Sequence, residues 1–297
     1  MQRDRPVPGN PGDGPIRMRM DLAYDGFAFV GWARQQGQRT VQGEVERVLG
    51  HLLGQPVALV CAGRTDSGVH AKGQVAHFDL PLGCTVGPSL HQVNRALPHD
   101  IRVGVLDVAP NGFDARFSAL WRRYSYRVCD QVTGPDPLER HRTLSWPRGL
   151  DEAGMNAAAR RLLGEQDFAA FCKRRATGST IRTLQRCAWT RLSSGVLVLE
   201  VQADAFCHSM VRSLVGALLP VGDGRRSIDW PVEVLHERQR HSAVMVMPAH
   251  PLVLEEVGYP CAGELLARQA ITRQVRGLSE GLTDHGTWHD PDRPRRP

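Results

Sequence analysis

The feature that most constrains the fold is an alternation of strand-like and helix-like segments in both halves of the chain. Apolar and polar residues alternate at 17–24, apolar residues recur at helical spacing at 41–53, and a short apolar run follows at 57–61. In the second half, a helical segment at 151–163 precedes a hairpin pattern at 187–203 around a Ser-Ser-Gly turn. Hairpins and helices with few parallel crossovers favour an α+β class, with an antiparallel sheet and helices on one face.

Strand-like alternation and helical spacing also predict the remaining elements, and the Pro and Gly content predicts how the chain is divided. The further elements are strands at 74–80, 101–108, 122–130 and 252–257 and helices at 88–96, 207–219 and 232–239. We expect a disordered Pro/Gly-rich leader at 1–15, an N-terminal α+β half at 16–130, a Pro/Gly/Asp-rich linker at 131–149 and a C-terminal α+β half at 150–260. An Arg-rich extension at 261–297 follows, for which we favour a solvated, partly disordered tail over a basic helical face.

The charge balance favours a polyanionic partner. Lys and Arg number 37 against 31 Asp and Glu, for a net charge of +6, and all the basic residues except Lys72 and Lys173 are arginine. Nucleic acid ranks ahead of an anionic membrane, because no basic amphipathic helix, membrane span or signal peptide is evident. The 7 cysteines are scattered and lack the spacing of zinc ligands. We therefore expect a cytoplasmic protein with reduced cysteines and no metal.

Candidate chemistry begins in a polar loop after the third segment. The run Cys-Ala-Gly-Arg-Thr-Asp-Ser-Gly-Val-His occupies 61–70, and its two glycines flank Arg64 and Asp66. A carboxylate in such a loop can stand at the edge of a sheet as a functional group. The alternative is structural, in which Asp66 only forms an Asx turn over Ser67 and Gly68.

A second candidate is the arginine within the apolar helix predicted at 207–219. Arg212 lies at the edge of an apolar stripe formed by Phe206, Met210 and Leu214. A guanidinium pressed against such a surface requires a partner, because an unpaired buried charge costs several kcal/mol. Arg212 either pairs with a carboxylate such as Asp66 or extends to solvent along the helix surface.

Two basic stretches are candidates for binding nucleic acid. Residues 116–127 hold four arginines and four aromatics without an acid, and strand alternation places Tyr124 and Arg123 on opposite faces. Residues 173–191 hold six basic residues and no acid. Either stretch can be ordinary packing or a solvated loop, and either can bind RNA phosphates. The candidate backbone contacts are Arg123, Lys173, Arg174, Arg175 and Arg182.

Together these residues resemble the tRNA pseudouridine synthase A (TruA) family over about 17–260. The strongest match is Gly-Arg-Thr-Asp-x-Gly-Val-His-Ala at 63–71. Further matches follow in order, at Tyr24-Asp25-Gly26, Gly31-Trp32, Val41-Gln42, Gly73-Gln74-Val75, Asn94 to Ile101, Ala115 to Ala119, Arg123 to Tyr126, Asp167-Phe168, Phe171, Ile181-Arg182-Thr183 and Phe206 to Gly216.

The resemblance implies a fold, an activity and four site residues. It implies two similar halves that share a continuous, mainly antiparallel sheet with a central cleft, in a homodimer without cofactor or metal. Asp66 would be the catalytic aspartate, Arg212 its salt-bridge partner, Tyr124 the tyrosine that stacks on the target base, and Arg64 the arginine that fills the space of the flipped nucleotide. The substrate would be tRNA, with uridines at positions 38, 39 and 40 of the anticodon stem and loop converted to pseudouridine.

Two questions remain open at the level of the sequence. Asp66 can attack the sugar as a nucleophile or remove a sugar proton to give a glycal. The same basic cleft would also suit a tRNA-binding chaperone without catalysis, although such a protein has no need for Asp66, Tyr124 and Arg212 together. Two residues depart from the family pattern, Ala33 after Gly31-Trp32 and Pro251 before the last strand.

Overall fold

A single mixed sheet forms the centre of the molecule in the computed structural model, which describes residues 15–173 and 179–273. Ten strands of the described residues take part: β1 Arg17–Tyr24, β2 Val60–Cys61, β3 His70–Asp79, β4 Ile101–Val108, β5 Trp121–Cys129, β6 Leu144–Ser145, β7 Gly164–Asp167, β8 Ile181–Arg191, β9 Leu197–Ala203 and β10 Leu252–Gly258. Their order is β4-β1-β3-β10-β5-β9-β8-β7, with β2 beside β3 and β6 beside β5. All pairs are antiparallel except β3 with β10 and β5 with β6. The predicted α+β class with a mainly antiparallel sheet is confirmed.

The last strand of the sheet joins its two halves. In β10, Val253 pairs in parallel with His70 of β3, and Leu254 pairs antiparallel with Tyr124 of β5. Although the sequence analysis assigned β5 to the N-terminal half, its partners are β6, β9 and β10. The sheet therefore runs without a break between the halves, with Tyr124 near its centre.

The described part of the chain contains six helices, of which the first two pack on each other and the next three pack on one another. They are α1 Val41–Leu53, α2 Leu90–Ala96, α3 Glu152–Arg160, α4 Met210–Gly222, α5 Trp230–His236 and α6 Leu265–Arg273. The predicted cap of α3 is confirmed, because the Asp151 side chain accepts a hydrogen bond from the Ala153 N–H at 3.0 Å. The helix ends at Arg160, three residues before the predicted end, and the chain enters β7 at Gly164 with φ +95°. None of the six helices combines the length and apolar character that crossing a bilayer requires.

The core follows the strand alternation that the sequence predicts. In β1 every second residue is buried, including Met18, Met20 and Leu22, and β9 shows the same pattern. Residues between them are only half-buried, as expected for a sheet covered by helices on one face. The cysteines of the described ranges form no disulfide bond, and four of them are buried.

The beginning of the C-terminal extension is folded onto the N-terminal half. The Leu265 side chain of α6 is buried, and Gln269 Nε2 donates a hydrogen bond to the Gly112 carbonyl at 2.5 Å. Residues 265–273 are thus a docked helix, where the sequence analysis favoured a solvated tail. Its docking surface is a loop that local periodicity does not identify. Arg276, which the sequence analysis grouped with Arg268 and Arg273, lies outside the described residues.

Candidate active-site cleft

A large basic cleft lies over the centre of the sheet, lined by residues of both halves. Its volume is about 2130 Å³, well above the roughly 300–1,000 Å³ of pockets for small molecules. Among the described residues that line it are ten Lys or Arg side chains and three Asp side chains. Its size and charge suit a segment of a polyanion rather than a small neutral ligand.

Hydrogen bonds to buried polar groups hold the loop that carries Asp66 in place. Gln74 of β3 donates from Nε2 to the Gly63 carbonyl at 2.7 Å. The Thr65 hydroxyl is 2.8 Å from the Tyr24 hydroxyl, and the Trp32 N–H donates to the Thr65 carbonyl at 3.0 Å. These contacts immobilise the backbone on both sides of Arg64, so that the next side chain, Asp66, has a defined position at the edge of β3.

Gly31 allows a second segment to support this loop at close range. Its φ is +82°, and a Cβ atom there would lie 2.9 Å from the Thr65 carbonyl oxygen. Any side chain would therefore push the loop away. This requirement gives a physical reason for the Gly31-Trp32 pair that the family resemblance includes.

Asp66 and Arg212 meet across the cleft. Arg212 Nη1 lies 3.2 Å from Asp66 Oδ2, and Arg212 Nε donates to the Met247 carbonyl at 2.6 Å. The segment that carries Met247 can pack directly against α4 because residue 216 is glycine. A Cβ atom at position 216 would collide with the Met245 carbonyl. The structure thus contains the ion pair that the sequence analysis weighed against the solvent-directed arginine and the Asx turn.

His208 contacts the other oxygen of the same carboxylate. Its Nε2 atom lies 3.3 Å from Asp66 Oδ1. His208 precedes α4 and is joined to it by Ser209, which adopts the left-handed conformation with φ +65° that few non-glycine residues take. The sequence analysis assigned no role to His208. Only its spacing of four residues from Arg212 could have pointed to it, since residues four apart lie on the same face of a helix. That reasoning does not apply here, because α4 begins at Met210 and His208 lies outside the helix.

The other two Asp side chains of the cleft accept hydrogen bonds from nearby backbone N–H groups and a hydroxyl group. Asp167 accepts hydrogen bonds from the Ala169 N–H and the Thr180 hydroxyl. Asp204 accepts from the N–H groups of Thr183 and Ala205. Asp66 differs from both, because the partners of its side chain are the basic side chains of Arg212 and His208, and a quarter of the Asp66 side chain is exposed. It is the carboxylate best placed to react with a bound molecule.

Tyr124 forms an aromatic wall of the cleft. Its ring is 7% exposed and packs edge to face on Phe206, with the centroids 5.1 Å apart. Burial raises the pKa of Tyr124 above its ordinary value of 10.0, so the phenol stays neutral at physiological pH. Arg64 is exposed and also lines the cleft. The four residues singled out by the resemblance therefore line one cleft.

Arg122 organises the cleft wall from within the protein. It is 7% exposed, and its guanidinium donates to the carbonyls of Ala62, Arg116 and Asp204 at 2.7–2.8 Å. Burial lowers the pKa of Arg122 below its ordinary value. One side chain thus ties three segments of the cleft together. The sequence analysis counted Arg122 only as one of several arginines, because its partners are backbone atoms distant in sequence.

The candidate phosphate contacts fall into three groups. Lys173 and Arg182 line the cleft. Arg123 does not, because it alternates with Tyr124 in β5 and forms an ion pair with Glu256 of β10. Arg174 and Arg175 lie outside the described residues.

The two departures from the family pattern have different positions. Ala33 lines the cleft. Pro251 precedes β10, and its carbonyl accepts a hydrogen bond from the Arg127 N–H of β5 at 3.4 Å, so the sheet pairing continues past the proline. Across the described ranges, His, Cys, Asp and Glu side chains nowhere form a group of three or more suited to hold a metal ion.

Comparison with known proteins identifies the family. A family model described as tRNA pseudouridine synthase matches residues 158–260. The chain is 56% identical over 265 residues to tRNA pseudouridine synthase A of Frankia casuarinae, covering 89% of this chain and 97% of the relative. It is 52% identical to the protein of the same name from Streptomyces griseus and 47% identical to that from Mycobacterium leprae, covering at least 95% of each. The chain, with its Asp66 carboxylate set between Arg212 and His208 in a basic cleft, belongs to the tRNA pseudouridine synthase A family.

Proposed function

We propose that this protein converts uridine to pseudouridine on the 3′ side of the tRNA anticodon stem and loop, with Asp66 as the catalytic nucleophile. The observation that carries the proposal is the Asp66 carboxylate, placed between Arg212 and His208 in a basic cleft with Tyr124. A basic cleft suits the phosphates of an RNA, an aromatic wall suits an unstacked base, and one ionised carboxylate suits attack on a sugar carbon.

The reaction needs only one carboxylate because nothing is added or lost. A carboxylate oxygen of Asp66 attacks C1′, and the electrons of the N1–C1′ bond leave with the uracil as an anion. The uracil turns within the cleft, C5 bonds to C1′, and the Asp66–C1′ bond breaks to restore the carboxylate. The C5 proton then leaves and N1 is protonated, so the atoms balance without a cofactor. A glycosidase, in contrast, uses a second carboxylate to assist the leaving group.

The neighbouring residues would support this step in different ways. Arg212 aims the Asp66 carboxylate through a charge-assisted hydrogen bond. The target uridine must leave its stack, which costs a few kcal/mol. Tyr124 offsets part of that cost by packing on the base, and Arg64 by occupying the space the base leaves. Lys173 and Arg182 would neutralise phosphates at the cleft.

Mapping pseudouridines by chemical labelling and sequencing, in tRNA from cells lacking this protein, tests the proposed function. We expect modification to disappear from the 3′ side of the anticodon arm and to return with the wild-type gene but not with Asp66→Asn. Purified Asp66→Asn should still bind tRNA. Near-normal modification by Asp66→Asn, or an unchanged pseudouridine map in the deleted strain, would leave the chaperone as the better description.

The route through Asp66 has its own test. We expect uridine carrying deuterium at C2′ to react at the normal rate, because nucleophilic attack leaves the C2′–H bond intact. A slower reaction of the deuterated substrate in single turnovers would instead indicate proton removal and a glycal.

The assembly and location are the remaining parts of the proposal. The family resemblance supports a homodimer, which light scattering of the purified protein would test through its molar mass. A tRNA substrate supports action in the cytoplasm, and fractionation of cells expressing the tagged protein would test it.

A further inference from the structure

The extension beyond the sheet contributes a wall of the cleft. Arg268, Thr272 and Arg273 of α6 line the same cleft as Asp66. Residues 265–273 contain two arginines and no acid. The helix is held in place by the buried Leu265 and by the bond from Gln269 to the Gly112 carbonyl. This wall is a defined surface rather than a loose basic tail.

An aromatic ring organises the guanidinium groups of this wall. Arg273 Cζ lies 4.3 Å from the centroid of the Phe117 ring, and Arg116 Cζ lies 5.1 Å from it. A guanidinium that packs on a ring keeps its N–H edges available for other bonds. Phe117 is half-buried and Arg116 is exposed, and both line the cleft.

The contacts that Arg273 makes within the protein leave most of its side chain exposed. Arg273 Nη2 donates to Gln269 Oε1 at 3.2 Å and lies 3.8 Å from Asp114 Oδ2, and 56% of the Arg273 side chain is exposed. The other oxygen, Asp114 Oδ1, accepts hydrogen bonds from the N–H groups of Arg116 and Phe117, both at 2.8 Å. Asp114 therefore shapes the loop that carries the ring, and its ion pair with Arg273 is long, with the Arg273 side chain largely exposed.

We infer that Arg273 and Arg116, oriented by the Phe117 ring, bind the phosphate backbone of the tRNA beside the target nucleotide. This inference rests on the proposed function for the identity of the RNA. Arginine suits the role because its planar fork can donate two bonds to one phosphate. Arg116 and Phe117 lie within the 17–260 segment, whereas Arg273 lies beyond residue 260, where the match to the family model ends.

Binding of a labelled, unmodified tRNA transcript to the full chain tests this inference across a series of KCl concentrations. For Arg273→Gln we expect an affinity lower by about three- to tenfold at moderate salt, and a slope of log Kd against log[KCl] that is shallower by roughly 0.7–0.9. Phe117→Leu should lower affinity without changing the net charge, because the leucine cannot orient the guanidiniums. Arg47→Gln is the matched control, since Arg47 is 63% exposed and does not line the cleft.

Two results would overturn the inference. One is an Arg273→Gln protein with wild-type affinity and salt dependence, and the other is an equal effect of Arg47→Gln. If circular dichroism shows that Phe117→Leu does not fold, tRNA binding by Arg273→Gln still tests the inference, because Arg273 is exposed. Pseudouridine formation is assayed on the same proteins. If Arg273→Gln has the same salt dependence as wild type and wild-type protein forms pseudouridine, only the inference about Arg273 and Arg116 is rejected. If wild-type protein binds tRNA but does not modify it, only the proposed isomerase activity is rejected.

Discussion

Arg212 and Asp66 are 146 positions apart in the sequence and lie side by side in the cleft, with Nη1 3.2 Å from Oδ2. The contact joins the loop before β3 in the N-terminal half to α4 in the C-terminal half. Both side chains are at least three-quarters buried, so solvent screens the pair only in part. The same contact therefore connects the two halves and fixes the proposed nucleophile.

Replacing both members of this pair should cost less stability than the sum of the single replacements. Asp66→Asn and Arg212→Gln each leave one charge unpaired in a partly buried site, whereas the double variant leaves none. We expect a coupling of about 1 kcal/mol in the free energy of urea unfolding. Additive single effects would mean that the two side chains do not interact in solution.

Replacing His208 should slow the reaction, because this residue helps to hold the carboxylate in place. His208 Nε2 lies 3.3 Å from Asp66 Oδ1, the oxygen that Arg212 does not contact. We expect His208→Leu to lower kcat by about three- to tenfold, the worth of one polar contact, and His208→Gln, which keeps a hydrogen-bond donor, to lower it less. His236→Leu, on the exposed side of α5, is the matched control. A wild-type kcat in His208→Leu would leave His208 with a packing role only.

Truncating Arg122 should destabilise the protein strongly. Arg122→Met keeps most of the side-chain volume but leaves the Ala62, Arg116 and Asp204 carbonyls without their donor. Unsatisfied buried acceptors cost about 1–3 kcal/mol each, so we expect a loss of about 3 kcal/mol or more in urea unfolding. Arg122→Lys should recover only part of it, because one ammonium group cannot replace a planar fork. Full stability in the lysine variant would contradict this view.

The hairpin of the C-terminal half should contribute a pH-dependent term to stability. Two hydrogen bonds from Arg191, at 2.7 and 3.0 Å, hold the pKa of Asp130 below its ordinary value of 3.8, and the Leu150 N–H adds a third bond. The stabilisation is therefore complete above about pH 4 and declines as the pH falls through the lower pKa of the folded protein.

Comparing Asp130→Asn with wild type by urea unfolding at several pH values tests this term. We expect the variant to be less stable by about 1–2 kcal/mol near neutral pH, a modest figure because Arg191 is one-third exposed. The difference should narrow as the pH falls below about 4. A difference that stays constant down to pH 3 would show that the Asp130 charge does not contribute.

Local structure was predictable wherever one face of an element is buried. The alternation of 17–24 and the apolar run of 101–108 predict strands with the bounds that β1 and β4 have, and the apolar spacing of 41–53 predicts α1. β3 begins four residues before the predicted Gln74, because His70 and Ala71 pair with β10. That pairing partner lies more than 180 positions away, so local periodicity carries no trace of it.

Local sequence patterns were sufficient to identify the side chains that can do chemistry and the face of the element that each one occupies. The motifs singled out Asp66, Arg212 and Tyr124, and the strand alternation separated Tyr124 from Arg123. Which of these groups meet depends on contacts between segments that are distant in the sequence. The insertion of β10 between β3 and β5 brings Asp66 and Tyr124 into one cleft, Ser209 turns His208 to the carboxylate, and α6 docks beside Phe117. Periodicity is a local property, whereas strand order and helix docking minimise the free energy of the whole chain.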